Sequence, residues 1–171
     1  DQGRGIAVDN NSQAYVTGVT FSQNFPTTTG VAQPNYPGGA ANTNSVGFVA
    51  SVNSAGSQLI YSTYLGGTGF DQAYNVAVDN LGNAYVTGAA FTPDFPTTPG
   101  ALQTSQTGND SFVTKLSPDG RTILYSTYLA GANCQGVAVD SRGSAYITGY
   151  AAINYPTTAG AFQTSLHGGF D

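Results

Sequence analysis

The sequence of 171 residues is long enough for one domain with a sizeable core, and 40% of its residues are hydrophobic. Only 8% are charged, with a net charge of −5, no glutamate and one lysine, Lys115. Neutralising phosphates requires grouped basic residues, but Arg4, Arg121 and Arg142 are scattered, which argues against a nucleic-acid partner. Spanning a bilayer requires about 20 apolar residues in a row, and no run approaches that length, which argues against a transmembrane segment.

The polar residues are mainly Ser, Thr, Asn and Gln, which keep the surface polar with few charges. Such a composition favours a protein outside the cytosol, so we expect an extracellular, cell-surface or periplasmic location. Cys134 is the only cysteine, and it therefore cannot form a disulfide within the chain. We expect Cys134 to be a buried, unreactive thiol.

The chain opens with a pattern that occurs three times. The stretch IAVDNNSQAYVTG at 6–18 recurs as VAVDNLGNAYVTG at 76–88 and as VAVDSRGSAYITG at 137–149. Self-similarity over such a period is typical of repeat architectures. Each copy contains two short runs rich in β-branched and aromatic residues, which predicts two strands.

A polar loop joins the two predicted strands of each copy. Its first residue is always an aspartate, Asp9, Asp79 or Asp140, whose side chain can bond the backbone farther along the loop. Because one such carboxylate occurs in every repeat, we expect it to stabilise a turn, with metal ligation as the alternative. Gly82 can adopt a positive φ and completes a hairpin signal. The first copy has Ser12 at that position, which predicts a turn of another type.

A connector follows each hairpin and places an aromatic residue before Pro-Thr-Thr. The aromatic residue is Phe25, Phe95 or Tyr155. Proline fixes its own φ and biases the preceding residue towards extended geometry. We therefore expect the aromatic ring to be held in one direction and to fill the space between neighbouring sheets.

The first repeat also carries about six additional residues within 34–45, after its connector. Surface loops absorb such insertions, while strands keep their length. As a segment that occurs once, this insertion is the best candidate for a contact with a partner, and the alternative is a plain solvent-exposed loop. The candidate contact residues are Tyr36, Gly38, Gly39, Asn42 and Asn44.

Two further strand patterns follow in each of the first two repeats, at 48–52 and 59–65 and again at 112–116 and 123–129. Four consecutive antiparallel strands form one blade of a propeller. The prediction is an all-β fold of β-propeller blades, with blade 1 at 1–70, blade 2 at 71–131 and the first half of blade 3 at 132–171. About two and a half blades do not close a ring. We therefore expect either a fragment of a longer propeller or a piece whose open edges another chain covers.

The fourth strand of each repeat contains a pair of tyrosines, Tyr61 with Tyr64 and Tyr125 with Tyr128. On an outer strand, such rings could contact a partner. Residues three apart in a regular strand point to opposite faces. At least one tyrosine of each pair is therefore expected to pack between blades.

Several linked motifs resemble the seven-bladed β-propeller family of SBBP repeats. They are YSTYLGG at 61–67, the hairpin at 76–88, FPTTPGALQ at 95–103 and DSFVTKL at 110–116. The resemblance covers nearly the whole chain. It implies a large secreted or surface-located bacterial or archaeal protein, and the family carries no catalytic residues to transfer. The chain departs from the pattern at Ser12, at the insertion, at Ala130 in place of Gly66 and in its number of blades.

The residues offer little for catalysis or cofactor binding. His167 is the only histidine and there is no glutamate, so we expect no zinc site, no catalytic triad and no enzyme activity. Calcium takes six to eight oxygen ligands, often from acidic residues close in sequence, and no such run occurs. Gly-Asp segments ending at Asp71, Asp110 and Asp171 could each donate one carboxylate, but loop geometry explains them equally well. We therefore expect no cofactor, with calcium as the alternative.

These observations predict a non-enzymatic extracellular or surface module that is a structural and protein-binding component of a larger assembly. Its expected partners are other protein chains or the remaining blades of the same protein. One alternative is a carbohydrate-binding propeller module, since loops rich in Asn, Asp and aromatic residues can hold glycans. Another alternative is a fragment of a propeller enzyme whose active site lies in missing blades.

Overall fold

A computed structural model describes residues 1–38, 44–152 and 155–165. This part of the chain contains ten strands and no helix. The strands are β1 (Gln2–Val8), β2 (Ala14–Thr20), β3 (Val46–Val52), β4 (Leu59–Leu65), β5 (Asp71–Val78), β6 (Ala84–Ala90), β7 (Asp110–Leu116), β8 (Ile123–Leu129), β9 (Ala132–Val139) and β10 (Ala145–Ala151).

The strands form three antiparallel sheets in chain order. Sheet 1 is β1-β2-β3-β4, sheet 2 is β5-β6-β7-β8, and sheet 3 is the pair β9-β10. Sheets 1 and 2 share one register, because Gly18 lies opposite Phe48 in sheet 1 and Gly88 lies opposite Phe112 in sheet 2. The all-β fold of consecutive propeller blades is therefore confirmed, with two four-stranded sheets and one two-stranded sheet in the described residues.

The sheets pack face to face, with sheet 2 between sheet 1 and sheet 3. One face of sheet 1 contributes Tyr15, Val49 and Leu65 to the main hydrophobic cluster, and the facing side of sheet 2 contributes Val86 and Phe112. A smaller cluster joins the other face of sheet 2 to Cys134 of sheet 3. The core thus lies between blades, because each sheet alone is too thin to bury its apolar side chains.

The connector between the second and third strands of each four-stranded sheet returns to cover the outer strand. In sheet 1, the Tyr64 amide donates to the Gln33 carbonyl at 3.1 Å; in sheet 2, the Tyr128 amide donates to the Gln103 carbonyl at 3.0 Å. These bonds satisfy backbone groups at the edges of β4 and β8. An outer strand with a covered edge is protected from pairing with other chains.

The three hairpin turns have the same geometry, and the prediction of another turn type at Ser12 is wrong. Ser12 adopts a φ of 60°, whereas Gly82 and Gly143 have a φ of 83°. The Ser12 amide donates to the Asp9 carbonyl at 3.1 Å, and the Gly82 amide donates to the Asp79 carbonyl at 3.0 Å. The aspartate bonds therefore determine the turn, and Ser12 takes up the left-handed conformation that the turn requires.

We expect Ser12→Gly to raise the free energy of unfolding by about 1 kcal/mol, because a side chain in the left-handed region costs roughly 1–2 kcal/mol and the greater freedom of unfolded glycine offsets part of the gain. Urea denaturation measures the change. Ser54→Gly is the matched control, since Ser54 is exposed in another turn and lacks a positive φ. A higher free energy of unfolding for Ser54→Gly but not for Ser12→Gly would contradict backbone strain at Ser12.

Candidate interaction surface

The outer face of sheet 1 is apolar, and no other sheet of the described residues covers it. Phe48 of β3 is nevertheless only 6% exposed, because the Phe25 ring stacks on it. Ile6 pairs with Val16 and Val8 pairs with Ala14, so these four side chains lie on one side of the sheet. The exposed fractions of Ile6 and Val8 are 68% and 60%. We call this side, with Ile6, Val8, Ala14, Val16 and Phe48, the open face.

The same positions in sheet 2 are covered by sheet 1. Val76 corresponds to Ile6 and is only 4% exposed, and Val86 corresponds to Val16 and is fully buried. Both belong to the cluster that includes Tyr15 of sheet 1. The repeat thus uses this face to pack against a preceding blade, and the described residues place no blade against the open face of sheet 1.

The aromatic residues of the connectors show the same difference. Phe95 stacks on Phe112 with the ring centroids 4.4 Å apart, and it is 3% exposed within the cluster between sheets 1 and 2. Phe25 stacks on Phe48 at 4.6 Å, but it is only partly buried. Tyr155 is 38% exposed. The predicted filling of the space between sheets is therefore found at Phe95, while Phe25 lies on the open face.

The repeated aspartates stabilise their turns, as the sequence predicts. Asp9 Oδ1 accepts hydrogen bonds from the amides of Asn11 and Gln13, both at 2.9 Å. Asp79 Oδ1 and Asp140 Oδ1 accept the corresponding amide bonds in the second and third hairpins. These bonds hold the loop in a closed conformation, which is the behaviour of an Asx turn.

Sheet 2 adds a buried polar cluster to its turn that sequence reasoning missed. Asp79 Oδ2 accepts from the Tyr85 hydroxyl at 3.0 Å and lies 3.4 Å from Lys115 Nζ. The Tyr85 hydroxyl also lies 3.1 Å from the Gly143 carbonyl of sheet 3. The signal in the sequence is that Lys115, the only lysine, stands where the first repeat has Ser51. The cluster links the turn of sheet 2 to the next sheet.

Electrostatics keep this cluster charged. Burial raises the pKa of the Asp79 carboxyl, but hydrogen bonds from Asn83, Tyr85 and Leu81 outweigh burial and hold that pKa below its ordinary value. Burial lowers the pKa of Lys115, but the interactions with Tyr85 and Asp79 outweigh it and raise that pKa. Both pKa shifts favour the charged forms of Asp79 and Lys115. The two groups therefore form an ion pair, which indicates a structural role for the cluster.

The described part of the insertion bends inward. The Tyr36 ring packs edge-on against Tyr64 at 5.6 Å, and the Tyr36 hydroxyl donates to the Asn44 carbonyl. Asn44 Nδ2 donates to the carbonyls of Gly38 and Thr68. Three of the five candidate contact residues are thus brought together by contacts within the chain. The other two, Gly39 and Asn42, lie outside the described residues, and a partner contact at the insertion stays a prediction.

The tyrosines of the fourth strands lie mostly in the core. Tyr61, Tyr64 and Tyr128 are at most 1% exposed, and Tyr125 is partly buried. Burial raises the pKa of Tyr125 and of Tyr128 to about 12. Tyr61 and Tyr128 belong to the cluster between sheets 1 and 2, so the expectation that at least one ring of each pair packs between blades is confirmed. Tyr64 lies on the other face of sheet 1, against Phe25 and Tyr36.

The Gly-Asp aspartates hold loops. Asp71 accepts a bond from the Thr92 hydroxyl at 2.7 Å, and Asp110 accepts one from the Thr107 amide at 2.8 Å. Asp171 lies outside the described residues. In the ranges that the structure describes, no three His, Cys or Asp side chains gather into a group that could hold a metal ion.

The remaining predictions concern Cys134, His167 and a transmembrane segment. Cys134 is buried, as predicted, and burial raises the pKa of its thiol. His167 lies outside the described residues. Within the described ranges, no helix has the length and apolar character that crossing a membrane requires.

The repeats match one known family. A family model described as the SBBP β-propeller repeat matches residues 1–26, 60–89 and 122–156, which together exceed half of the chain. The matched segments include all three hairpins. A search of the curated proteins found no match.

Proposed function

Because this chain belongs to the SBBP β-propeller repeat family, we propose that it is a structural, protein-binding module of a larger assembly and that its open face binds a further blade of the same repeat. The observation that carries the proposal is the contrast between Ile6, which is 68% exposed, and its counterpart Val76, which is 4% exposed. The same position of the repeat is therefore covered in sheet 2 and exposed in sheet 1.

The covered form defines the chemistry of the occupant. Sheet 2 is covered by a sheet face that carries Tyr15, Val49 and Leu65. A blade that presents the same kind of face to sheet 1 would bury Ile6 and Val8. Burying one such aliphatic side chain is worth roughly 1.5–3 kcal/mol. A blade of this repeat is therefore the occupant that fits the open face.

The remaining parts of the proposal concern location and chemistry. An extracellular, cell-surface or periplasmic location is supported by the polar, weakly charged composition with no glutamate. A non-enzymatic role without a cofactor is supported by the use of Asp9, Asp79 and Asp140 in turns. Because one such aspartate occurs in every repeat, these carboxylates are more consistent with a structural role than with catalysis.

Native mass tests the proposal. In the purified chain, only a second copy can supply a blade to the open face, so we expect association that increases with concentration in sedimentation experiments. Ile6→Lys should raise the dissociation constant at least tenfold, because it places a charge in an apolar interface. Ile6 is exposed, so the variant should fold normally.

Leu81→Lys is the matched control, because Leu81 is also exposed and apolar but lies in a hairpin turn of sheet 2. It should associate as the unmodified chain does. Equal weakening by both substitutions, or no effect of Ile6→Lys, would show that association does not use the open face.

A further inference from the structure

The first strand of every sheet contains a β-bulge at the same place. In β1 the register passes from Gly3 directly to Gly5, so Arg4 has no pairing partner on β2. In the same way Tyr74 has no pairing partner on β6, and Gln135 has none on β10. A bulge leaves one residue unpaired and redirects its side chain, and bulges often occur beside functional sites. Each repeat therefore presents one unpaired residue from its first strand.

The bulge residues differ in chemical type, whereas the hairpin turns repeat the same aspartate. The three bulges carry an arginine, a tyrosine and a glutamine. A turn residue that recurs unchanged stabilises the fold, but a guanidinium, a phenol and an amide at equivalent positions offer different contacts to a ligand. The first strands β1, β5 and β9 also lie next to one another. The bulges are therefore grouped at the edges where the first strands of neighbouring sheets meet.

The bulges of sheets 1 and 2 are in contact and bring three side chains together. A Cβ atom on Gly5 would lie 2.8 Å from the Cα of Asn75, so glycine permits this close approach. The Arg4 guanidinium lies over the Tyr74 ring, with Cζ 5.0 Å from the ring centroid, and Arg4 Nη1 donates to Gln72 Oε1 at 2.9 Å. A guanidinium held by a ring and an amide is preorganised for a ligand.

The described residues provide no carboxylate partner for Arg4. The chain has four basic side chains, and the other three form the ion pairs Lys115 with Asp79, Arg121 with Asp119 and Arg142 with Asp140. The bond to Gln72 uses one N–H donor of Arg4, and the remaining donors can hold a carboxylate in the bidentate manner. Because the other basic side chains are bound to their own aspartates, the site offers one positive charge. One charge suits a carboxylate better than a doubly charged phosphate.

The groups around Arg4 are neutral and polar. Gln72 Nε2 donates to Ser45 Oγ at 3.4 Å and has a second N–H, and the Tyr74 hydroxyl can donate and accept a hydrogen bond. The exposed amide of Gln135 continues the row on sheet 3. Amide and phenol groups bind hydroxyl groups well and gain little from an acyl chain. A ligand that combines one carboxylate with several hydroxyl groups therefore fits these side chains.

We propose that Arg4, Tyr74 and Gln72 form a binding site for a sugar acid such as a uronate. The Arg4 guanidinium binds the carboxylate, the Tyr74 ring holds the guanidinium in place, and the polar groups of Gln72 and Tyr74 bind the ligand hydroxyls. This site gives a specific form to the carbohydrate-binding alternative. It lies between the first strands of sheets 1 and 2 and does not use the open face, so it stands or fails independently of the function proposed above.

Titration of the whole chain with glucuronate, followed by amide chemical shifts in NMR spectra, tests the site. We expect saturable shifts at Arg4 and Tyr74. Glucose, which has no carboxylate, should bind at least tenfold more weakly because the charge-assisted bonds to the guanidinium are lost. Arg4→Gln should weaken glucuronate binding by a similar factor, and it should fold normally because Arg4 is exposed. Arg4→Lys keeps the charge without the planar fork and should weaken binding about fivefold.

Arg142→Gln is the matched control, because it removes the same charge from an exposed arginine in the hairpin turn of sheet 3. It should leave the affinity for glucuronate unchanged. No saturable shift at Arg4, equal affinities for glucuronate and glucose, or equal weakening by Arg4→Gln and Arg142→Gln would overturn the site. Tighter binding of N-acetylglycine, which has a carboxylate but no hydroxyl, would overturn the assignment to a sugar acid.

Discussion

Phe95→Ala should lower the free energy of unfolding by about 3–5 kcal/mol, the usual cost of truncating a buried phenylalanine. Phe95 is enclosed between sheets 1 and 2 and stacks on Phe112. The substitution leaves a cavity in the interface between blades, and the surrounding strands can relax only partly. Urea denaturation monitored by circular dichroism measures the loss.

Phe25→Ala is the matched control, because Phe25 has the same place in the first repeat and stacks on Phe48 in the same way. Phe25 lies on the open face and is only partly buried, so its truncation should cost about 1–2 kcal/mol. Equal losses in the two variants would show that sheet 1 does not cover Phe95 in solution.

Asp79→Ala should lower the free energy of unfolding by roughly 2–4 kcal/mol, because it removes one partner of a mostly buried ion pair and the acceptor of several hydrogen bonds. Lys115 and the hydroxyl of Tyr85 would lose the carboxylate that binds them. Asp9→Ala removes the carboxylate at the same turn position in sheet 1, where Ser51 stands in place of Lys115. It should cost about 1 kcal/mol.

The loss at Asp79 should depend on pH in a defined direction. The pKa of Asp79 is lower in the folded protein than its ordinary value of 3.8, so the carboxylate stabilises the fold fully above that pH. The contribution is lost as the pH falls through the lower folded pKa. The difference in stability between the unmodified chain and Asp79→Ala should therefore be constant at neutral pH and shrink below about pH 4. A difference that grows on acidification would contradict the ion pair.

The repeating parts of the fold could be predicted because local chemistry determines them. The hairpin turn follows from an aspartate that bonds two amides, and the same bonds occur at Asp9, Asp79 and Asp140. The strands follow from alternating β-branched and aromatic residues. Even the wrong prediction at Ser12 reflects this rule, since the carboxylate bonds hold the turn without glycine.

The candidate surfaces could not be predicted, because exposure depends on the neighbouring sheet and not on the residue itself. Ile6 and Val76 occupy the same position in similar sequences, yet only Val76 is covered. The cluster around Lys115 likewise depends on the distance between a turn and a strand more than thirty residues apart. The insertion containing Tyr36 stands out in the sequence, but its internal hydrogen bonds are visible only in three dimensions.

The native mass of the unmodified chain, measured by sedimentation equilibrium over a range of concentrations, tests the central claim most directly. If the open face of sheet 1 binds another blade in the way that sheet 2 binds sheet 1, the measured mass should rise above 17.5 kDa as the concentration increases. A mass that stays at 17.5 kDa, with a single species throughout, would contradict the role proposed for the open face.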